Sequence, residues 1–325
     1  MREHRHGTPL VFTHIPKTAG TSLREAVQAS LRPEVVFNGF GRVTLGSFTD
    51  LDSLHPSIRR QFALDPTDFP ADAEFVTGHI APSETRARFP DADHFTVLRE
   101  PRVRLISSWL FARTHSDFNL RRWGNLADWM RAARSSLPDY IGNADVAAHV
   151  DNVIARQLLW PHDLIPSDAF IDPAHDDELF EQAVATLGTF GYVGIVEDPD
   201  FVAKLGEWLG RPLTLPRLNE VGVRRQPDSV DLASEVSGSG ADLLRWHTRI
   251  DARLWHHVAE RAFEAAAIEE QRERAYQRAV ERYAGLVAKP VKLRYPRRIL
   301  EGSYGLVTRL RAQGGRAEPR SSRTS

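Results

Sequence analysis

The sequence predicts an α/β fold of three layers, a central parallel sheet flanked by helices, with a further helical region towards the C-terminal end. Three observations carry this. Short apolar β-type runs recur at 10–15, 75–80, 94–98 and 190–197. Most give way within a few residues to segments of helical spacing, the pattern of β-α units with parallel pairing. Residues 240–285, rich in Ala, Glu and Arg, read as one long helical region or two helices.

The elements follow in order. The run at 10–15 breaks at Pro16 into Lys17-Thr18-Ala19-Gly20-Thr21-Ser22, and a helix-like segment over 23–31 is stopped by Pro33. A loop-rich stretch with Gly39, Gly41 and Gly46 extends to about residue 56, and 57–63 reads as a short helix. Strands are expected at 74–79 and 94–99, the second closed by Arg99-Glu100-Pro101. Over 102–113, Val103, Ile106, Trp109 and Leu110 share one helical face, which puts Arg102 and Arg104 on the outer one. Residues 113–145 mix Trp123, Trp129 and Tyr140 with Arg121, Arg122, Arg131 and Arg134. That mixture fits either a surface that stacks sugars and pairs acidic groups or a helix with a solvated basic side. The late strand over 190–197 leads to a helix over 198–209 with Gly210 as its cap.

Chemistry concentrates where strands end. A strand that turns into a helix through a short loop aims backbone N–H groups and the positive helix end at one point. Lys17 adds a full charge there, and Thr18, Thr21 and Ser22 add hydroxyls, making a cradle for phosphate or sulfate. The loop does not match the nucleotide-binding template G-x-x-x-x-G-K-[ST]: no glycine precedes Gly20 at that spacing, and the lysine comes before it. The order Pro-Lys-Thr-Ala-Gly-Thr-Ser instead resembles the 5′-phosphosulfate loop of sulfotransferases. These enzymes have a P-loop-like fold and use 3′-phosphoadenosine 5′-phosphosulfate (PAPS) as donor. Arg99 at a strand end, with Ser107 eight residues on, resembles their 3′-phosphate motif. A planar guanidinium suits such a phosphate because it makes two parallel hydrogen bonds.

Between these motifs, Gly78-His79 ends a strand near the same sheet edge. Together the three segments are similar to carbohydrate O-sulfotransferases of the heparan 2-O-sulfotransferase type, in which a histidine here is the catalytic base. Glu84 is the alternative base, since other sulfotransferases use a carboxylate. Asp151-Asn-Val-Ile-Ala-Arg156-Gln157-Leu158 resembles a helix that faces the active site in this family, and Leu215-Pro-Arg-Leu-Asn219-Glu220 a loop that closes over the donor nucleotide. Arg224 and Arg225 follow it, within reach of the 3′-phosphate. The resemblance spans 9–265. It implies PAPS held by Lys17, Thr18, Ala19, Gly20, Thr21, Ser22, Arg99, Ser107 and Asn219. It also implies transfer to an acceptor hydroxyl, carbohydrate first, with His79 and Lys17 as catalytic residues and no metal.

Composition bounds the rest. The chain has 325 residues, 42% hydrophobic and 26% charged, enough for one large α/β domain. A formal net charge of −1 excludes a strongly basic nucleic-acid binder. With no cysteine there is no disulfide, thiolate metal site or cysteine nucleophile. His247, His256 and His257 lack metal-ligand spacing and read as packing or surface residues, and His14 beside the loop as a packing residue. The N-terminal residues carry no apolar signal core or anchor, unlike Golgi members of the resembled family, so a cytoplasmic, bacterial enzyme is expected. The catalytic domain is expected over 1–288. From Lys289 onwards there are ten Lys/Arg against two Glu, an extension whose last part reads as disordered. It reads either as a weak contact for an anionic membrane surface or glycan or as a solvated tail. Two rival functions stay open: a small-molecule kinase using ATP and Mg²⁺, and a non-catalytic glycan-binding module on the same fold.

Overall fold

The computed structural model describes residues 4–5, 7–216, 226 and 228–288. Its centre is a five-stranded parallel sheet of β1 (Leu10–Thr13), β2 (Val36–Phe40), β3 (Phe75–His79), β4 (Asp93–Leu98) and β5 (Tyr192–Ile195), in the order β2-β3-β1-β4-β5. Strand β1 lies between β3 and β4 in parallel register, and Leu10, Val11 and Phe12 are each 1% exposed. Burial on both faces is why the run reads as continuously apolar with no alternation. One face packs Leu10, Phe12 and Phe95 against Leu23 and Val27 of α1 (Gly20–Leu31). The other packs Val11 and Val76 against Phe69 and Phe89, the latter just beyond α2 (Pro82–Arg88). The sheet and its helical layers bear out the expected fold class.

The chain runs from β1 out to β2, returns to β3, then crosses to β4 on the other side of β1. That reversal opens a crevice at the carboxyl ends of β1, β3 and β4, where an open parallel sheet binds its ligands.

Several boundaries differ from expectation. Strand β2 lies in the stretch read as loop-rich. It is a half-exposed edge strand, and Gly39 erases any β signature. Gly39 pairs with Gly78, whose φ is 137°, and a Cβ on Gly78 would stand 2.0 Å from the Gly39 carbonyl. The two glycines are what let these strands close up. Helix α1 starts at Gly20, three residues before the expected start.

The helix α3 (Pro101–Arg113) carries the main correction. Arg102 and Arg104, expected outside, are 7% and 0% exposed. The helix is buried on all but the side of Phe111: Val103, Leu105, Ile106, Trp109 and Leu110 sit in one cluster with Met130, Leu137, Tyr140 and Tyr283. Arg102 is neutralised there by Glu100 at 2.8 Å and Glu273 at 3.0 Å.

Beyond α3 come α4 (Val153–Leu159), α5 (Asp176–Gly188) and α6 (Phe201–Trp208). Gly210, at φ 65°, ends the last of these two residues past its final turn. The region read as one or two helices holds three: α7 (Ser239–Trp246), α8 (Arg249–Ala259) and α9 (Ile268–Val287). His247 packs on Phe170, with its Nδ1 3.3 Å from Asp151. Among the described residues no helix is long and apolar enough to cross a membrane. Asn219, Arg224, Arg225 and the extension from Lys289 lie outside the described residues.

Candidate functional site

The loop between β1 and α1 is held in an uncommon shape. Lys17 and Ala19 adopt φ 70° and 64°, the left-handed region that β-carbon-bearing residues avoid. Left-handed residues spaced this way turn successive N–H groups to one side, the geometry of an anion nest. Among the described residues, none of the backbone N–H groups from Lys17 to Ser22 has a backbone acceptor. Those of Gly20, Thr21 and Ser22 open a twelve-residue helix, so its positive end points the same way. A Cβ on Gly20 would lie 1.9 Å from the His14 ring, so only glycine fits between that ring and the loop.

One expected contact changes. The Thr18 hydroxyl donates to the Ile15 carbonyl at 2.9 Å and is fully buried, so it braces the loop. Thr18 keeps only its backbone N–H for a ligand.

Arg99 is held between the loop and a residue the sequence did not single out. Arg99 donates one nitrogen to the Lys17 carbonyl at 3.1 Å, which ties the β4 end to the loop. It donates another to the Tyr283 hydroxyl at 3.0 Å. Against the upward push of burial, Arg99 first and then Ser107 pull the pKa of that phenol below its ordinary value, so Ser107 lies near the same hydroxyl. Tyr283 comes from α9, with Arg99 bonded to its hydroxyl and Ser107 nearby. A tyrosine 184 residues from Arg99, on a helix of ordinary amphipathic pattern, left no local signal.

His79 stands at the end of β3, half-buried. Its Nδ1 lies 2.8 Å from the His14 carbonyl, which can only accept, so Nδ1 carries the proton and Nε2 is left bare. Burial and then the Lys17 charge hold its pKa below the ordinary imidazole value, against the opposing pull of the His14 carbonyl. Burial thus favours the uncharged ring, with Nε2 as its free lone pair. Gln157 donates to the same His14 carbonyl at 3.2 Å and to Ile80 at 3.3 Å, anchoring α4 under the site.

Lys17 sits with Nζ 4.0 Å from the centre of the Phe111 ring. Burial first, and then the Arg99 charge, lower its pKa to about 8. Glu84, the alternative base, is committed elsewhere. Its carboxylate caps α2, accepting from Ala81 N–H at 2.7 Å and Arg42 N–H at 2.5 Å. Burial raises it to about 7, yet it does not border the cavity that His79 faces.

That cavity measures about 470 Å³ and is bordered by Lys17 and His79 together. Phe40, Trp123 and Trp129 form much of its wall, with Trp129 stacked on His149 at 4.5 Å. The aromatic–arginine stretch thus splits. Its two tryptophans border the cavity, whereas Arg131 and Arg134 turn out to pair with Asp128 and Asp117. Arg156 borders the cavity but is satisfied by Asp151 at 3.0 Å and by three backbone carbonyls.

No protein-family model matches the chain, and no curated protein matches it either.

Proposed function

We propose that the chain is a PAPS-dependent sulfotransferase that moves a sulfuryl group to an acceptor hydroxyl, on a carbohydrate or another hydroxyl compound. One observation carries the reading: a neutral His79, with Nε2 free, shares a cavity with Lys17, the charged residue of an anion-nest loop. Base and anion site are thereby adjacent, as a transfer to oxygen requires.

The residues fit such a donor. Unpartnered N–H groups from Lys17 to Ser22 suit its 5′-phosphate, and Arg99 and Ser107 suit its 3′-phosphate. When bound, PAPS supplies the sulfuryl group, and 3′,5′-ADP is the product that leaves. His79 Nε2 takes the proton of the acceptor hydroxyl as that oxygen forms its bond to sulfur and the bond to the phosphate oxygen breaks. Lys17 offsets the negative charge that grows on the departing oxygen. Positioning and electrostatics supply most of the rate in such transfers, which matches a site made of N–H groups, one ammonium and one imidazole.

Thermal unfolding with 3′,5′-ADP, 5′-ADP and ATP–Mg²⁺ tests the assignment. A ligand at a hundred times its Kd adds about 2.7 kcal/mol to stability. The expected result is a shift with 3′,5′-ADP that Arg99→Ala removes, together with transfer from labelled PAPS. A shift with ATP–Mg²⁺ alone would make the chain a kinase candidate, and binding of 3′,5′-ADP without any turnover would leave a binding module.

A further inference from the structure

Arg104 is the most anomalous charge among the described residues. It is 0% exposed, and its Nε, Nη1 and Nη2 all lack a hydrogen-bond partner. No carboxylate pairs with it; Asp251 acts on its charge without an ion-pair contact, while its two oxygens accept from the Ile154 and Ala155 N–H groups. A buried guanidinium with every donor idle is expensive, so such a group calls for a partner outside the chain. Arg104 borders the same cavity as His79, with Ser108 one turn further along α3.

The cavity walls point to the same partner. Among the described residues that border it there is no Asp or Glu. Arg156 is already neutralised, and burial holds His115 and His149 below the ordinary imidazole pKa. Lys17 and Arg104 are then the fixed charges bordering the space, Arg104 from just beneath its wall, and both are positive. Between them lie flat aromatic surfaces: Phe40, Trp123 and the Trp129–His149 stack. A volume of about 470 Å³ suits a small molecule far better than a polymer chain.

We infer that the acceptor is a compact hydroxyl compound with a flat apolar body and a carboxylate, the carboxylate bound by Arg104 and the hydroxyl presented to His79. This rests on the sulfuryl-transfer reading and narrows its acceptor class away from glycan chains. A carboxylate matches the guanidinium fork with two parallel hydrogen bonds, and an uncharged analogue would leave the fork idle.

The test uses the full chain and three probes: 3-(4-hydroxyphenyl)propionate, its amide, and a heparin-type oligosaccharide. Binding is followed by tryptophan fluorescence and calorimetry, with and without 3′,5′-ADP. The acid should bind roughly 10- to 100-fold tighter than the amide. In Arg104→Met that gap should close to within about threefold, and in Arg104→Lys part of it should return, while the 3′,5′-ADP melting shift stays in both. Equal binding of acid and amide, binding of neither, or preference for the oligosaccharide would overturn the proposal on the unaltered protein, whether or not the variants fold. Loss of the 3′,5′-ADP shift in Arg104→Met would overturn it too, by moving Arg104 to the donor side. Failure of the sulfotransferase reading shows separately, as no 3′,5′-ADP shift in the unaltered protein, and the nucleotide-free titration still reads Arg104.

Discussion

The loop after β1 and the cavity beside it are built in opposite ways. From Pro16 to Ser22 the site is contiguous and made largely of backbone: N–H groups, a helix end and one lysine. The cavity gathers Phe40, His79, Arg104, Trp129 and His149 from five separate segments, and side chains do all the work. A backbone site can be held by a short motif whatever surrounds it. A side-chain site depends on how distant elements pack, so its chemistry is free to change while the loop stays the same.

The contrast can be broken first at His79. His79→Ala should lower kcat by roughly 10²- to 10⁴-fold, the usual worth of a general base, while leaving the 3′,5′-ADP melting shift as it was. Near-normal turnover in that variant would remove the base from the cavity and leave the comparison without a catalytic side.

A pH profile sharpens it next. His79 works as the neutral form and its pKa is lowered by burial, so kcat/KM should fall on the acid side only below pH 6.5. Lys17 works as the cation, with a pKa lowered to about 8 by burial and by Arg99, so kcat/KM should fall again as pH rises through about 8. Because kcat/KM reports the free enzyme, a bound anion should move the alkaline limb of kcat itself upwards. A profile flat to well above pH 8 would take the Lys17 charge out of the rate.

The smallest effect belongs to Tyr283, whose hydroxyl accepts from Arg99. Tyr283→Phe removes an occupant that a 3′-phosphate must displace, so 3′,5′-ADP should bind roughly threefold tighter by titration calorimetry. Weaker binding would instead make the phenol a donor to the phosphate.

Legibility followed the same division. The loop from Lys17 to Ser22, Arg99 and His79 were legible as positions because each stands at a strand end with a local signature. Arg104 differs from its outward-facing expectation: five residues past Arg99, it lies off the apolar stripe of a helix that tertiary packing buries on nearly every side. Tyr283 and His149 carried no signal, since nothing near them in the chain marks a site. Strand β2 was hidden by Gly39, whose purpose appears only once Gly78 lies opposite.

By itself the sequence determined the alternation of buried strands and helices, and with it the parallel sheet and the loop that an anion can occupy. Local chain stiffness and hydrophobic period decide those features within a few residues. The tertiary structure alone decided that the His79 Nδ1 faces the His14 carbonyl and that the Thr18 hydroxyl turns inward. It alone left Arg104 buried with no partner. Each depends on a carbonyl, a neighbouring charge or an empty space supplied by chain far away, and burial makes such contacts strong enough to set protonation and charge.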